Sequence, residues 1–226
     1  MRETASALAP SPRRREIPPP EPASRPYHHG DLSRALVLAG RRILETQGAE
    51  ALSLRAVARE AGVSPAAPYH HFKDKGELLD AVAQEGWKEL GSAIAKGRAA
   101  SPDARHAMTE IGVAYVCFAR ENPAVYRIMY RSACDRETMP DKAKEADSGW
   151  GHVVEAIVAA GADPNDAREM ELATIASWCS AHGVAEMAGF KEFEPLKKAL
   201  GGEEAFVRAV LSHIGIYGHA KPPAKA

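Results

Sequence analysis

Three observations predict an all-α fold for this chain of 226 residues. No segment alternates convincingly between apolar and polar residues, as a half-buried strand would. Apolar residues instead recur at i, i+3, i+4 and i+7 in window after window, the spacing of helices with one buried face. Between those windows stand Gly, Pro, Ser, Asp and Asn, the residues that start and stop helices. At 45% hydrophobic residues the chain is long enough to bury a sizeable core in one or two domains.

The first 26 residues are rich in Pro, Ala, Ser and Arg and nearly free of large apolar side chains, so they read as a disordered arm carrying the basic cluster Arg13–Arg15. Asp31 is placed to cap a helix running to about Gln47, with Leu32, Leu36, Ala39, Ile43 and Leu44 on its buried face and Gly48 ending it. Then comes the most informative stretch, Ser53 to Phe72. Leu54, Val57, Ala58 and Ala61 form one apolar stripe, Ser53 stands at its N-cap, and Gly62 follows its last position. Ser64 offers a second N-cap with Pro65 at the first helical position, which predicts a helix over 65–72. The small Ala58 leaves room for the two helices to cross. Two short helices joined by a turn containing Gly have the sequence shape of a helix-turn-helix, whose second helix enters the DNA major groove; a plain helical corner inside an all-α protein has the same spacing.

Asp74 and Glu77 form a capping-box-like start to a long helix over 75–100. Further helices follow from Asp103 to the Asn122–Pro123 break, through PAVYRIMYR, from Trp150 to Gly161, from about 165 to Met187, and from Glu203 to about Tyr217. Residues 134–147 are polar and read as a loop, and 220–226 as a disordered tail. Inside the helix 165–187, Trp178 and His182 share a face at i and i+4. Gly183 beside them predicts a close helix approach, since glycine there costs about 1 kcal/mol against alanine.

Net charge is −1, so overall charge alone does not point to nucleic acid. The three cysteines, Cys117, Cys134 and Cys179, are widely separated, which fits a reducing cytoplasm rather than a disulfide framework. No His/Cys run has zinc spacing, and the adjacent pair His28–His29 is not a metal site, so no metal and no cofactor is expected. No apolar run approaches the roughly 20 residues that span a bilayer, and the start MRETASALAPSPRRR has no signal-peptide core, so no membrane association is expected. No paired carboxylates, Ser-His-Asp set or defensible Cys-His pair speaks for catalysis.

Several motifs in order extend the helix-turn-helix over some fifty residues: YHHGDL at 27–32, then Tyr69-x-His71-Phe72, then Lys75-x-x-Leu78-Leu79. Segment 31–85 thereby resembles the DNA-binding domain of the TetR family of bacterial transcriptional regulators. Trp178-x-x-x-His182-Gly183 resembles the body domain of a TetR subgroup with that motif. The resemblance implies a three-helix head within a DNA-binding domain at 27–85, and a helical ligand-binding and dimerisation body at 86–219. It places positions 64–66 and 70 (Ser64, Pro65, Ala66 and His70) against bases, and Tyr69, His71 and Lys75 against phosphates. Ser53 joins this DNA-facing set. Tyr27 or His28 would stand near the DNA backbone.

The sequence departs from the family pattern at Pro68, where an aliphatic residue is usual. The proline removes a backbone donor and predicts a distorted start to the recognition helix. Pro65, Ala66 and Ala67 lack hydrogen-bonding side chains, which leaves direct readout to apolar contacts with thymine methyls plus His70 and shifts weight to DNA shape. In the body, Trp178 and His182 are candidate walls of an inducer pocket with Phe118, Tyr126 and Tyr130. Packing within the core is the competing reading. The function implied is a ligand-responsive repressor, dimeric through about 165–187 and 203–217, released from a pseudo-palindromic double-stranded operator by a small-molecule inducer. A DNA-binding protein without a ligand and a small helical enzyme are the alternatives.

Overall fold

The computed structural model describes residues 29–101, 103–135 and 149–214. The Arg13–Arg15 arm, Tyr27, His28, the loop positions 136–147 and the tail 220–226 lie outside these residues. Among the described residues there are nine α-helices and no strand, in agreement with the predicted class.

Helix α1 spans His29–Gln47. It is already under way at Asp31, so Asp31 stands in its first turn rather than at its N-cap. Leu36, Ala39, Ile43 and Leu44 are buried on one face, and Gly48 ends the helix at φ 84°. Helix α2 spans Leu54–Glu60, and the Ser53 hydroxyl accepts from the Ala56 N–H. Its end is a Schellman motif: Val63 N–H donates to Ala58 O at 2.9 Å and Gly62 N–H to Arg59 O at 3.2 Å. This geometry requires the left-handed φ of 69° at Gly62.

The expected α-helix over 65–72 is not formed. The chain winds instead as a 3₁₀ turn over Ala67–His70, and Ser64 gives no side-chain cap. Pro68 has no N–H to return to Ser64 O, so Ala67 N–H takes that acceptor at 3.0 Å and i→i+3 bonding continues from Tyr69 to Ala66. The third helix of the head is therefore a single tight turn. Pro68 itself is buried, so its ring serves as an inward anchor beside Phe72.

Helix α3, Lys75–Ala100, starts on Asp74, whose carboxylate accepts from Glu77 N–H. Glu77 reaches back to Lys73 N–H at 2.7 Å rather than to the cap residue. Leu78, Val82, Leu90 and Ile94 bury one side of α3. Helices α4 (Ala104–Glu121) and α5 (Pro123–Asp135) pack against it. The approach to α5 is close, since a Cβ on Gly86 would stand 2.7 Å from both the Met129 sulfur and Val125 Cγ1. Helix α5 continues through 134 and 135, which the sequence reading gives to a loop.

Helix α6 (Trp150–Ala159) lies against α3 and α4, and α7 (Ala167–Met187) begins on Asp166, two residues later than expected. A seven-residue helix α8, Glu194–Leu200, has no counterpart in the sequence reading. Helix α9 spans Glu203–His213 and rests on α4; the expected extension from 215 to 217 lies outside the described residues.

Candidate nucleic-acid interface and a buried aromatic cluster

The turn after α2 presents a contiguous polar and apolar tip. Ser64, Pro65, Ala66, Tyr69 and His70 are exposed, while His71 is half-buried and its ring contacts Phe72. Tyr69 keeps 54% of its surface exposed, a large amphipathic side chain with nothing inside the fold to explain it. Ser53 is exposed at the start of α2; its oxygen caps the helix and its hydroxyl proton is free to donate. Arg55, Arg59 and Lys73 add exposed positive charge nearby in sequence. Of the predicted DNA-facing set, Ser53, Ser64, Pro65, Ala66, Tyr69 and His70 are thus exposed and His71 half-buried, whereas Lys75 is engaged with the head itself. Lys75 Nζ donates to Ala49 O at 2.7 Å, tying the start of α3 to the 3₁₀ turn at Ala49–Ala51.

A second constellation joins α1 to the rest of the chain. Arg41 Nε donates to Glu45 Oε1 at 2.7 Å and its Nη2 to Asn122 Oδ1 at 2.6 Å, while Nη1 pairs with Glu89 on α3. Asn122 sits at the α4–α5 corner and donates to Phe118 O at 3.0 Å. The Glu89 carboxylate raises the Arg41 pKa above its ordinary value, against burial, which lowers it.

The third is a knot of aromatic side chains between α4, α5 and α7. Tyr115 is its hub. Its hydroxyl lies 3.1 Å from Tyr126 Oη and bonds the Tyr130 hydroxyl, and Trp178 Nε1–H donates to it at 3.1 Å. Trp178 also donates to Tyr130 Oη at 2.9 Å, and Tyr126 Oη lies 2.5 Å from His182 Nδ1. Tyr130 packs against Trp178, His182 and Trp87. Burial pushes the phenols of Tyr115, Tyr126 and Tyr130 well above their usual range, so they remain protonated hydrogen-bond donors.

Four of the five predicted pocket residues therefore meet in space. Phe118 stands apart from their hydrogen bonds, buried on α4 among the core side chains. Tyr115, the hub, was visible in the sequence only as one more apolar position of α4. The expected close approach at Gly183 is not made among the described residues, where a Cβ there would meet nothing within 4 Å. No group of three or more His, Cys, Asp or Glu able to hold a metal ion occurs among the described residues.

Residues 36–82 match the family model for bacterial regulatory proteins of the tetR family, and residues 108–213 that for a tetracyclin repressor-like C-terminal domain. The HTH-type transcriptional regulator BetI of Rhizobium meliloti (strain 1021) is 34% identical over 103 residues, 44% of this chain and 51% of that protein. BetI of Brucella anthropi is 32% identical over 107 residues, 46% of this chain and 55% of that protein. The chain thus spans about half the length of the curated relatives it matches. A structure from Rhodococcus sp. RHA1, described as a protein of unknown function, superposes with TM-score 0.64 at 31% identity, covering 88% of this chain and 100% of that one. A TetR family regulator from Marinobacter aquaeolei VT8 shares the fold with TM-score 0.55 at 16% identity, over 79% and 94% of the two chains.

Proposed function

The chain belongs to the TetR family of bacterial regulatory proteins, and from that membership we propose that it is a DNA-binding transcriptional regulator, a repressor that a small molecule releases from its operator. One observation carries the reading: the Schellman turn after α2 projects Ser64, Pro65, Ala66, Tyr69 and His70 outward as a surface that the fold itself does not use. Residues 27–85 form the DNA-binding part and 86–219 the ligand-binding and dimerising part. Tyr69 and His71 face phosphates, and Ser53 donates its free hydroxyl proton to another. Lys75 supports the site from behind through Ala49 and reaches phosphate only by giving up that bond.

Pairing of two chains is supported by α7. Leu172, Ile175 and Met187 are exposed on it at 59%, 43% and 48%, and Phe190 continues the line. Cys179 and the uncovered Gly183 fall on the same stripe. A second copy would cover these side chains and fill the space at Gly183, α9 lying alongside. The two tips would then stand about 34–36 Å apart on a pseudo-palindromic operator. A small, mainly apolar inducer suits the knot of Tyr126, Tyr130, Trp178 and His182, whose walls are ring faces with a few hydrogen-bonding atoms. Displacing Tyr126 would move α5, whose N-terminal corner carries the Asn122 bond to Arg41 on α1. Such a protein works in the cytoplasm; among the described residues no helix is long and apolar enough to cross a membrane.

The test is selection of duplex DNA from a random pool by the full-length protein, followed by binding at two salt concentrations. An enriched inverted repeat that resists random competitor is the expected result, with Tyr69→Ala weakening all sequences alike. A pool that yields only weak, steeply salt-dependent binding would overturn the assignment.

A further inference from the structure

The exposed tip is unusual in what it lacks. Sequence is commonly read by Arg or Lys on guanine and by Asn or Gln on adenine, two hydrogen bonds at a time. None of these residue types occurs from Ser64 to Phe72. Pro68 and Phe72 point into the core and Ala67 and His71 are half-buried, so the outward surface belongs to Ser64, Pro65, Ala66, Tyr69 and His70. The winding is tight, with Tyr69 N–H bonded back to Ala66 O at 3.1 Å. In a 3₁₀ winding residues three apart eclipse one another. Ala66 and Tyr69 therefore share one edge, with the Pro65 ring preceding the Ala66 methyl. The leading part of the tip is hydrocarbon.

The major groove offers one apolar partner for hydrocarbon, the C5-methyl of thymine. We propose that Pro65 and Ala66 recognise thymine methyl groups, so that each operator half-site is defined at the tip by one or two thymines. This inference rests on the DNA-reading assignment above and names the bases that assignment leaves open. Each thymine is worth little by itself: covering one methyl group changes affinity roughly fourfold. His70 supplies the one ring nitrogen able to bond a neighbouring base edge, and Tyr69 holds the register from the backbone.

The experiment uses full-length protein and the duplex that the wild type enriches from a random pool. Each thymine is replaced singly by deoxyuridine, which deletes only the methyl group, and affinity is read by anisotropy of a labelled duplex. One or two positions per half-site are expected to lose about fourfold, and Ala66→Gly is expected to erase the loss at one of them. Ala66 has ordinary helical backbone angles, φ −83° and ψ −24°, and is exposed. Ala66→Gln therefore fits without strain, and is expected to turn the preferred base there from thymine to adenine. That gain of a preference demands a folded protein. If every thymine accepts deoxyuridine within about 1.5-fold, or if Ala66→Gln leaves the thymine preference intact, the methyl reading is wrong while the DNA-reading assignment stands. A pool with no enriched sequence removes both.

Discussion

Replacing Arg41 by methionine keeps the hydrocarbon stem and deletes the guanidinium that ties α1 to α3 and to the α4–α5 corner. The cost follows from the surroundings of each bond. Arg41 is 17% exposed, but Glu45 and Glu89 are each 38% exposed, so solvent screens both ion pairs. Screened pairs of this kind contribute about 0.3–1 kcal/mol each. The bond to Asn122 Oδ1 at 2.6 Å is part-buried, and a charge-assisted bond to a neutral amide contributes about 1 kcal/mol or somewhat more. Arg41→Met is therefore expected to lose about 2 kcal/mol of unfolding free energy, read as a shift in urea midpoint at unchanged slope. Asn122→Ala is expected to lose about 1–2 kcal/mol, because its amide also holds Phe118 O. The double variant should fall short of the sum by about 0.5–1 kcal/mol, the signature of a shared bond. A loss below 0.5 kcal/mol for Arg41→Met, or strict additivity with Asn122→Ala, would refute the clamp.

Three further outcomes follow from other parts of the fold. At Gly149, φ is 72° and a Cβ would stand 2.7 Å from Gly91 Cα, backbone against backbone, so Gly149→Ala should cost about 2–4 kcal/mol in thermal or urea unfolding, while Gly151→Ala, with open space around it, should cost nothing. Bonding to Arg120, and then to Lys197, holds the Glu203 carboxyl below its ordinary pKa although burial pushes it up. Its contribution is therefore present above the ordinary carboxylate value of about 4.3 and is lost as pH falls through the depressed one, and Glu203→Gln should flatten that acid limb of a stability–pH curve; an unaltered limb would assign acid sensitivity elsewhere. Gly183→Ala should stiffen an isolated α7 by about 0.5–1 kcal/mol, whereas Gly183→Arg on the apolar stripe should shift sedimentation toward the single chain without lowering its melting temperature. If sedimentation ignores the arginine, pairing uses another face.

Much of this was legible because the signals were local. Ser53 and Asp74 cap where a short acceptor precedes an apolar stripe, and Gly62 ends α2 because only a left-handed residue closes a Schellman turn. Pro68 was legible as a fault but not in its outcome. Whether a chain missing one donor kinks or rewinds depends on which acceptors the neighbours can reach, and here Ala67 reached Ser64 O. Helix α8 escaped notice for a different reason. It is short, and Lys197, buried at 4% exposure, is held by Glu194 and by Glu203 across the following turn. In sequence that lysine looks like a solvated charge. Tyr115 and Lys75 escaped for a third reason, since their partners lie far along the chain: Trp178 and His182 for one, Ala49 for the other. Periodicity says which face is buried, not which hydroxyl meets which ring. Gly183 misled because a glycine in a helix signals a close approach only by its cost, and here a Cβ would meet nothing within 4 Å among the described residues.

The knot around Tyr130 gives the protein an optical property of its own. Of the three tryptophans, two touch this one phenol: Trp87 meets it edge-on at 5.5 Å, and Trp178 lies 5.8 Å away with its indole N–H bonded to the phenol oxygen. Indole emission depends on ring contacts and on hydrogen bonding at the nitrogen; here Tyr130 makes a ring contact with both indoles and shares the Trp178 N–H with Tyr115. Any event that lifts Tyr130 out of the knot changes two emitters on two different helices at once. The protein thus carries a label-free gauge of the state of its body, which can be read in the same cuvette as a titration with any candidate inducer.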